Sequence, residues 1–326
     1  MDNLLTSTSD ALKFLSTNVV HPTYFPYLWA PTLHAARISL VYQTLARKVG
    51  LGTYSKFPWG PYIAGYLVSC WAGGIITNFL LGMPPPMAYS FQPYINYLAV
   101  HLGLTAFFSV FPFVPTRSKN LRHSFIPVDA LLRALSVTGT LGILDNPNVP
   151  PAFKAMNNPF GHILLGALAS ASGGISMSTF SLTLPSWQFS TPPILTAGLW
   201  SSADVWGGAL AAVIFGAATQ SPAFTIPSTN PAVLGPAYFP LNLVPQTILE
   251  LLFRPSVVAA KGASQAHILA VSPQVAPHVG KAMAAVALAV VFGSRALYTH
   301  WLSSPVAQKA PVTQGKKAGS KTIRSQ

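Results

Sequence analysis

The chain has 326 residues, of which 51% are hydrophobic and only 8% are Asp, Glu, Lys or Arg, against roughly 25% charged residues in an ordinary soluble domain. Such a surface could not be kept in water, and apolar stretches of the ~20 residues needed to cross a bilayer recur along the chain, so lipid is its natural solvent. The net charge of +13 does not point to nucleic acid, because the basic residues sit in short clusters between apolar runs rather than on one amphipathic face. Cys70 is the single cysteine, which excludes an internal disulfide and argues against a thiolate zinc site.

Taken in chain order, residues 1–20 contain Asp2, Asp10 and Lys13 and no long apolar core. They read as an extramembrane N-terminal segment and not as a cleaved signal peptide. A membrane domain over residues 21–303 follows, with expected spans Tyr24 to Leu45, Pro58 to Leu81, Tyr94 to Val114, Ile126 to Ile143, Phe160 to Leu182, Ala197 to Ala218 and Lys281 to Leu302. Prolines mark the exits, as at Pro84 to Pro86 and at Pro185, Pro192 and Pro193. The long connection 219–280 is Pro-rich, with a short helix expected within Leu241 to Phe253. Residues 304–326, with Lys309, Lys316, Lys317, Lys321 and Arg324, read as a disordered basic tail near a membrane surface.

With seven spans, alternate loops face opposite sides. One side holds Arg47, Lys48, Lys56, Arg117, Lys119, Arg122 and the tail; the other holds Lys13, Lys154, Arg254 and Lys261. The positive-inside rule then places the C-terminus in the cytosol and the N-terminus in the lumen or outside.

Ala72-Gly73-Gly74-Ile75 recurs one hundred residues later as Ser172-Gly173-Gly174-Ile175, and in both copies a proline, Pro85 or Pro185, follows the second glycine by eleven residues. Each copy lies in the second helix of a three-helix group. Three is odd, so the groups have opposite orientations: the expected fold class is an all-α membrane protein of seven transmembrane helices, two inverted three-helix repeats plus a final helix. Glycine pairs inside a span lower the cost of unwinding and let carbonyls line a path. Gly73, Gly74, Gly173 and Gly174 are therefore expected helix breaks and pore-lining positions, the alternative being close helix packing.

An ionised side chain at the bilayer centre needs a partner, a cavity or a route to the interface. Asp129 and Arg133 are four apart, on one helix face, where they can pair or line a wet path. Asp204 stands between Trp200 and Trp206, a carboxylate able to attract a cation or to sit at the interface. Arg37 and Arg295 lie in the first and last spans; Arg37 is expected to snorkel along its aliphatic stem, and for Arg295 snorkelling stays open beside a partner within the bundle. His34, His101 and His162 lack the i,i+4 pairing of a metal site. Phosphate-loop, zinc-helix and nucleophile-elbow signatures are absent, so no chemistry and no cofactor are expected.

The run Trp71-Ala72-Gly73-Gly74-Ile75-Ile76-Thr77-Asn78-Phe79-Leu80-Leu81-Gly82-Met83-Pro84, the aromatic third span closing on Phe111-Pro112, Ser172-Gly173-Gly174 followed by Phe180 and Pro185-Ser186-Trp187, and Arg295 followed by Tyr298-Thr299-His300 together resemble the trimeric intracellular cation channels of the TRIC family. The resemblance implies seven spans, a cytosolic C-terminus, a homotrimer with one pore per subunit, and K⁺ passage across an endoplasmic reticulum or other internal membrane, giving counter-ion current during store Ca²⁺ release. That family carries a Lys-Glu-Val motif on its fourth helix with further basic residues that bind a phosphoinositide. The segment here is Asp129-Ala130-Leu131-Leu132-Arg133: Arg133 matches an arginine of the pattern, while Asp129 reverses the lysine's charge, which weighs against that lipid site. Expected partners are K⁺ or other monovalent cations and membrane lipids, with no nucleic acid. A secondary transporter with inverted repeats, or a non-conducting scaffold of the same fold, stays open beside the channel.

Overall fold

The computed structural model describes residues 2–48, 57–111, 125–144, 146–196, 198–226, 229–233, 243–255 and 275–299. The expected basic tail and the loop residues Lys56, Arg117, Lys119, Arg122 and Lys261 lie outside them. The long helices are α1 (Asp2–Thr17), α2 (Trp29–Lys48), α3 (Trp59–Leu80), α4 (Gln92–Val110), α5 (Ile126–Ile143), α6 (Pro159–Thr179), α7 (Ala203–Ala218) and α9 (Pro277–Leu297), with the two-turn α8 (Gln246–Leu252) in the sixth connection. Besides short helical turns such as Pro151–Lys154 and Pro193–Thr196 there are two small ladders: Val19–His21 (β1) runs antiparallel to Phe25–Leu28 (β2), and Thr225–Ile226 (β3) runs parallel to Arg254–Pro255 (β4).

Five of the described helical segments are long and apolar enough to cross a membrane: Trp59–Leu80, Ile126–Ile143, Pro159–Thr179, Leu199–Ala218 and Pro277–Leu297. The protein is thus an α-helical, multi-pass membrane bundle. The helices α2 and α4 match these in length but carry more polar cargo, including Ser39 and Gln43 on α2 and Asn96, His101 and Thr105 on α4, all buried.

Proline occupies the first turn of α4, α5, α6 and α9, where its fixed φ suits a helix and its missing N–H costs nothing. The Asn158 side chain caps α6 by accepting from the Gly161 amide at 2.9 Å. The other ends of α3, α6 and α7 share one solution. After α3 the Met83 amide donates to Asn78 and the Gly82 amide to Phe79; after α6 Leu182 donates to Met177 and Ser181 to Ser178; after α7 Ser221 donates to Gly216 and Gln220 to Ala217. Each is a Schellman cap with its penultimate residue at positive φ, Gly82 at 64°, Ser181 at 50° and Gln220 at 53°.

Packing differs along the bundle. The interface of α6 with α7 is made of small residues: a Cβ on Gly166 would lie 2.6 Å from the Gly208 carbonyl oxygen, and one on Gly208 would lie 2.5 Å from that of Gly166. Without a hydrophobic force between helices in lipid, such backbone approach is what dispersion rewards. Around α2, α3 and α4 the spaces are filled by rings instead. His101 stacks on Tyr66 at 3.8 Å between centroids, with Tyr42, Tyr62 and Tyr97 around them. A third, smaller cluster seats Phe224, Ile226, Leu249 and Phe253, from the connection between α7 and α9, against α7.

Residues 2–17, for which no helix was expected, are helical and pack on the bundle. They form α1, whose Leu12 enters the main core with Ala285 and Leu288 of α9 and Ala134 of α5. Its residues 4–11 lie against Pro127 to Leu131 and Ala285 to Val290, and its residues 9–16 against Leu135, His278 and Lys281. Thus α1 runs parallel to α5 and antiparallel to α9.

Candidate functional site

Five charged positions that the sequence places in the expected spans form one chain of alternating charge. Arg37 Nη2 of α2 lies 2.7 Å from Asp129 Oδ1; the same oxygen accepts from Arg133 Nε at 2.8 Å, one turn along α5. Arg133 Nη2 lies 2.9 Å from Asp204 Oδ1 on α7, off hydrogen-bond angle, so that this contact is coulombic. Arg295 Nη1 of α9 donates to Asp204 Oδ2 at 3.1 Å. Three guanidiniums and two carboxylates leave one net positive charge.

Arg133 is the hub. Its Nη1 donates to both the carbonyl and the hydroxyl of Ser170 on α6, the hydroxyl at 3.1 Å. Its flat face covers the Phe292 ring of α9 at 5.0 Å, and Arg295 also covers that ring at 5.3 Å, a doubled cation–π contact that desolvation strengthens. All three nitrogens of Arg133 are engaged, so a lipid phosphate would have to displace a carboxylate to reach it. Backbone dipoles favour the arrangement: Asp129 and Asp204 lie in the first turns of α5 and α7, and Arg295 in the last turn of α9. The Arg37, Asp129 and Arg133 side chains are the more buried part, at 13 to 16% exposure, and Asp204 and Arg295 the more open, at 31 to 32%.

The structure therefore brings Asp129, Arg133 and Asp204 together, and the i,i+4 pair expected from spacing is made. Arg37 and Arg295 each turn to a carboxylate of another helix. Ser170 and Phe292 carry no signal in the sequence that would single them out, since an uncharged Ser and a Phe are ordinary in a span.

The glycine pairs sit beside this cluster but do not break their helices. Both α3 and α6 run on without interruption through Gly73-Gly74 and Gly173-Gly174. A Cβ on Gly73 would meet the Ala169 carbonyl at 3.2 Å, and one on Gly173 would meet the Ser69 carbonyl at 2.4 Å. The missing side chains are filled by the neighbouring backbone, which satisfies the ladder and gains packing at once. The two contacts are reciprocal, each glycine meeting the residue four before the other. The second glycines differ: nothing lies within 4 Å of a Cβ on Gly74 or Gly174, and their carbonyls accept from Asn78 Nδ2 at 2.8 Å and Ser178 Oγ at 3.0 Å. Ser136 Oγ of α5 donates to the Ala169 carbonyl at 3.2 Å, which ties this crossing to the helix of Asp129 and Arg133.

The histidines stay apart. His34 Nε2 meets the Cys70 carbonyl at 3.2 Å, His101 Nδ1 meets Ser39 Oγ at 2.8 Å, and His162 Nε2 meets Asn157 Oδ1 at 3.0 Å. Among the described residues no group of three or more His, Cys, Asp and Glu could hold a metal ion. No family model, no curated protein and no solved structure matches this chain.

Proposed function

We propose that the protein is a monovalent-cation channel of an internal membrane, similar to the trimeric intracellular cation channels, with α2–α4 and α5–α7 as two inverted groups and α9 as the seventh span. The observation that carries this reading is the five-membered charge chain through α2, α5, α7 and α9. Each ionised group placed at membrane depth costs at least about 2.5 to 3.5 kcal/mol, and such groups mark ion paths and switches. Here both carboxylates are held by guanidiniums, which is a closed path. Opening requires Arg37 or Arg133 to leave Asp129, so that the carboxylate takes K⁺ in its place. Subunits assemble as homotrimers, each with its own path, and the current balances Ca²⁺ leaving a store.

Purified protein in planar bilayers is expected to pass K⁺ in single-channel steps, and Asp129→Asn to reduce the current strongly. Silence of the wild type across a wide voltage range sinks the channel reading. A non-conducting scaffold is the second reading, favoured by the backbone-filled crossing at Gly73 and Gly173. It requires wild-type silence together with an intact, monodisperse assembly.

A further inference from the structure

At the opposite end of α9 from the charge chain is a second charged feature that ion passage does not use. Lys281 and Arg295 are fourteen residues apart, about 21 Å along the helix. There α1, α5 and the N-terminal part of α9 border an open groove of about 420 Å³, lined by Ser9, Asp10, Lys13, Ser16, His278 and Lys281 over a floor of Leu12 and Leu135. We propose that this pocket binds a phosphate-bearing anion, either a lipid headgroup or free phosphate.

Three features select the chemistry. Lys13 and Lys281 line one groove from different helices, and among the described residues neither is in an ion pair. Asp10 lines the same wall but forms no ion pair with either lysine, so the pocket keeps net positive charge even with His278 neutral. The groove also lies at the N-terminal end of α9, the positive end of its macrodipole, and the hydroxyls of Ser9 and Ser16 add polar atoms to the rim. A carboxylate-sized groove with one lysine would suit many anions. Two lysines from separate helices lining one groove suit a phosphate, whose several oxygens can be shared between them. Binding would clamp α1 onto α9 and α5, the helices that carry Arg295, Asp129 and Arg133.

The test uses the full-length protein in detergent, followed by thermal unfolding while inorganic phosphate or short-chain phosphatidic acid is titrated. Stabilisation by a ligand reports binding to the folded state. A charge-assisted hydrogen bond to a phosphate contributes about 1.5 to 3 kcal/mol, so Lys13→Gln and Lys281→Gln should each raise the half-saturating concentration roughly ten-fold or more. Lys154→Gln, outside the pocket, should leave it unchanged. Asp10→Asn should lower it, and because Asp10 is exposed this variant keeps the test open if a lysine variant fails to fold. Stabilisation by phosphatidic acid alone identifies a lipid headgroup, and stabilisation by both ligands identifies the phosphate itself as sufficient. No stabilisation by either, or equal stabilisation of the Lys13→Gln, Lys281→Gln and Asp10→Asn proteins, overturns the proposal. Neither result depends on whether the protein conducts.

Discussion

The helices α2–α4 and the helices α5–α7 solve the same packing problem with different materials. Between α2, α3 and α4 rings fill the interface: Tyr66 donates from its hydroxyl to the Ala35 and Tyr97 carbonyls, and Tyr62 shares a hydrogen bond with Thr105. In α6 and α7 the side chains are removed, and Gly166 and Gly208 bring the backbones together. The first region buries its polar atoms in hydrogen-bonded aromatic contacts; the second buries small hydroxyls such as Thr138, Ser172 and Ser176 and holds the guanidinium of Arg133 beside Ser170. A rigid, closely packed half thus faces a half held by directional side-chain bonds. Any movement that parts Arg37 from Asp129 is expected to come from the α2 side.

The largest expected effect tests the packed half. Gly208→Leu would place a branched side chain where even a Cβ lies 2.4 Å from Ser170 Cβ and 2.5 Å from the Gly166 oxygen, and backbone on both sides cannot yield. Loss of monodisperse protein on size-exclusion chromatography is expected. Gly103→Leu on α4, where nothing lies within 4 Å of the added Cβ, should elute as wild type. Equal behaviour of the two variants would erase the distinction between the halves.

Next in size is the link between them. Removing one partner of a buried pair costs about 3 to 5 kcal/mol because the other charge is left unmatched. Asp129→Asn leaves three guanidiniums facing one carboxylate, whereas Arg133→Met leaves two neutral pairs, Arg37 with Asp129 and Arg295 with Asp204. Thermal unfolding in detergent should therefore show the larger loss for Asp129→Asn, although Arg133 makes more contacts. The reverse order would mean that the contacts of Arg133 with Ser170 and Phe292 outweigh charge balance.

Much of the frame was legible because lipid demands long apolar helices and proline announces their first turns. The expected segment Ile126 to Ile143 coincides with α5, and the other expected segments find helices shifted by a few residues, of which those at α2 and α4 fall short of the apolar character that marks a membrane span. The Asp129–Arg133 pair was legible from its i,i+4 spacing. Arg37 with Asp129, and Arg295 with Asp204, were not, since their partners lie about ninety residues away and an arginine near a span end has the same composition whether it snorkels or pairs. The recurrence of the glycine pairs was plain, but the sequence does not say what fills a missing Cβ; the neighbouring carbonyls do, and the expected breaks are absent. The helix α1 was hidden because Asp2, Asp10 and Lys13 stay exposed while only Leu12 and Leu15 are buried.

The reciprocal crossing gives a graded test of that last point. Gly173→Ala should destabilise by about 1 to 3 kcal/mol, the range for overpacking a filled site, because its Cβ would lie 2.4 Å from a backbone oxygen; Gly73→Ala, at 3.2 Å, should cost less. Gly74→Ala and Gly174→Ala meet open space and should be neutral or stabilising by roughly 0.5 to 1 kcal/mol, since alanine is the better helix former. Loss of K⁺ current in the Gly74→Ala or Gly174→Ala protein without loss of stability would instead place those two glycines on the ion path.

The smallest expected change concerns the caps, where the two halves again use different residues for one geometry. Gly82 and Ser181 occupy the same position after α3 and α6, both at positive φ, and a left-handed conformation costs an L-residue with a Cβ roughly 1 to 2 kcal/mol. Ser181→Gly removes that strain but frees the unfolded chain and gives up a weak 3.4 Å contact with Ser190, so a net gain of under about 1 kcal/mol is expected. The reverse exchange is not symmetrical. Gly82→Ser would gain the strain and also set a Cβ 2.6 Å from the Phe153 ring, so its unfolding temperature should fall by more than Ser181→Gly raises it. If Ser181→Gly lowers the unfolding temperature, the hydroxyl of Ser181 holds the chain toward Ser190 more strongly than its backbone resists.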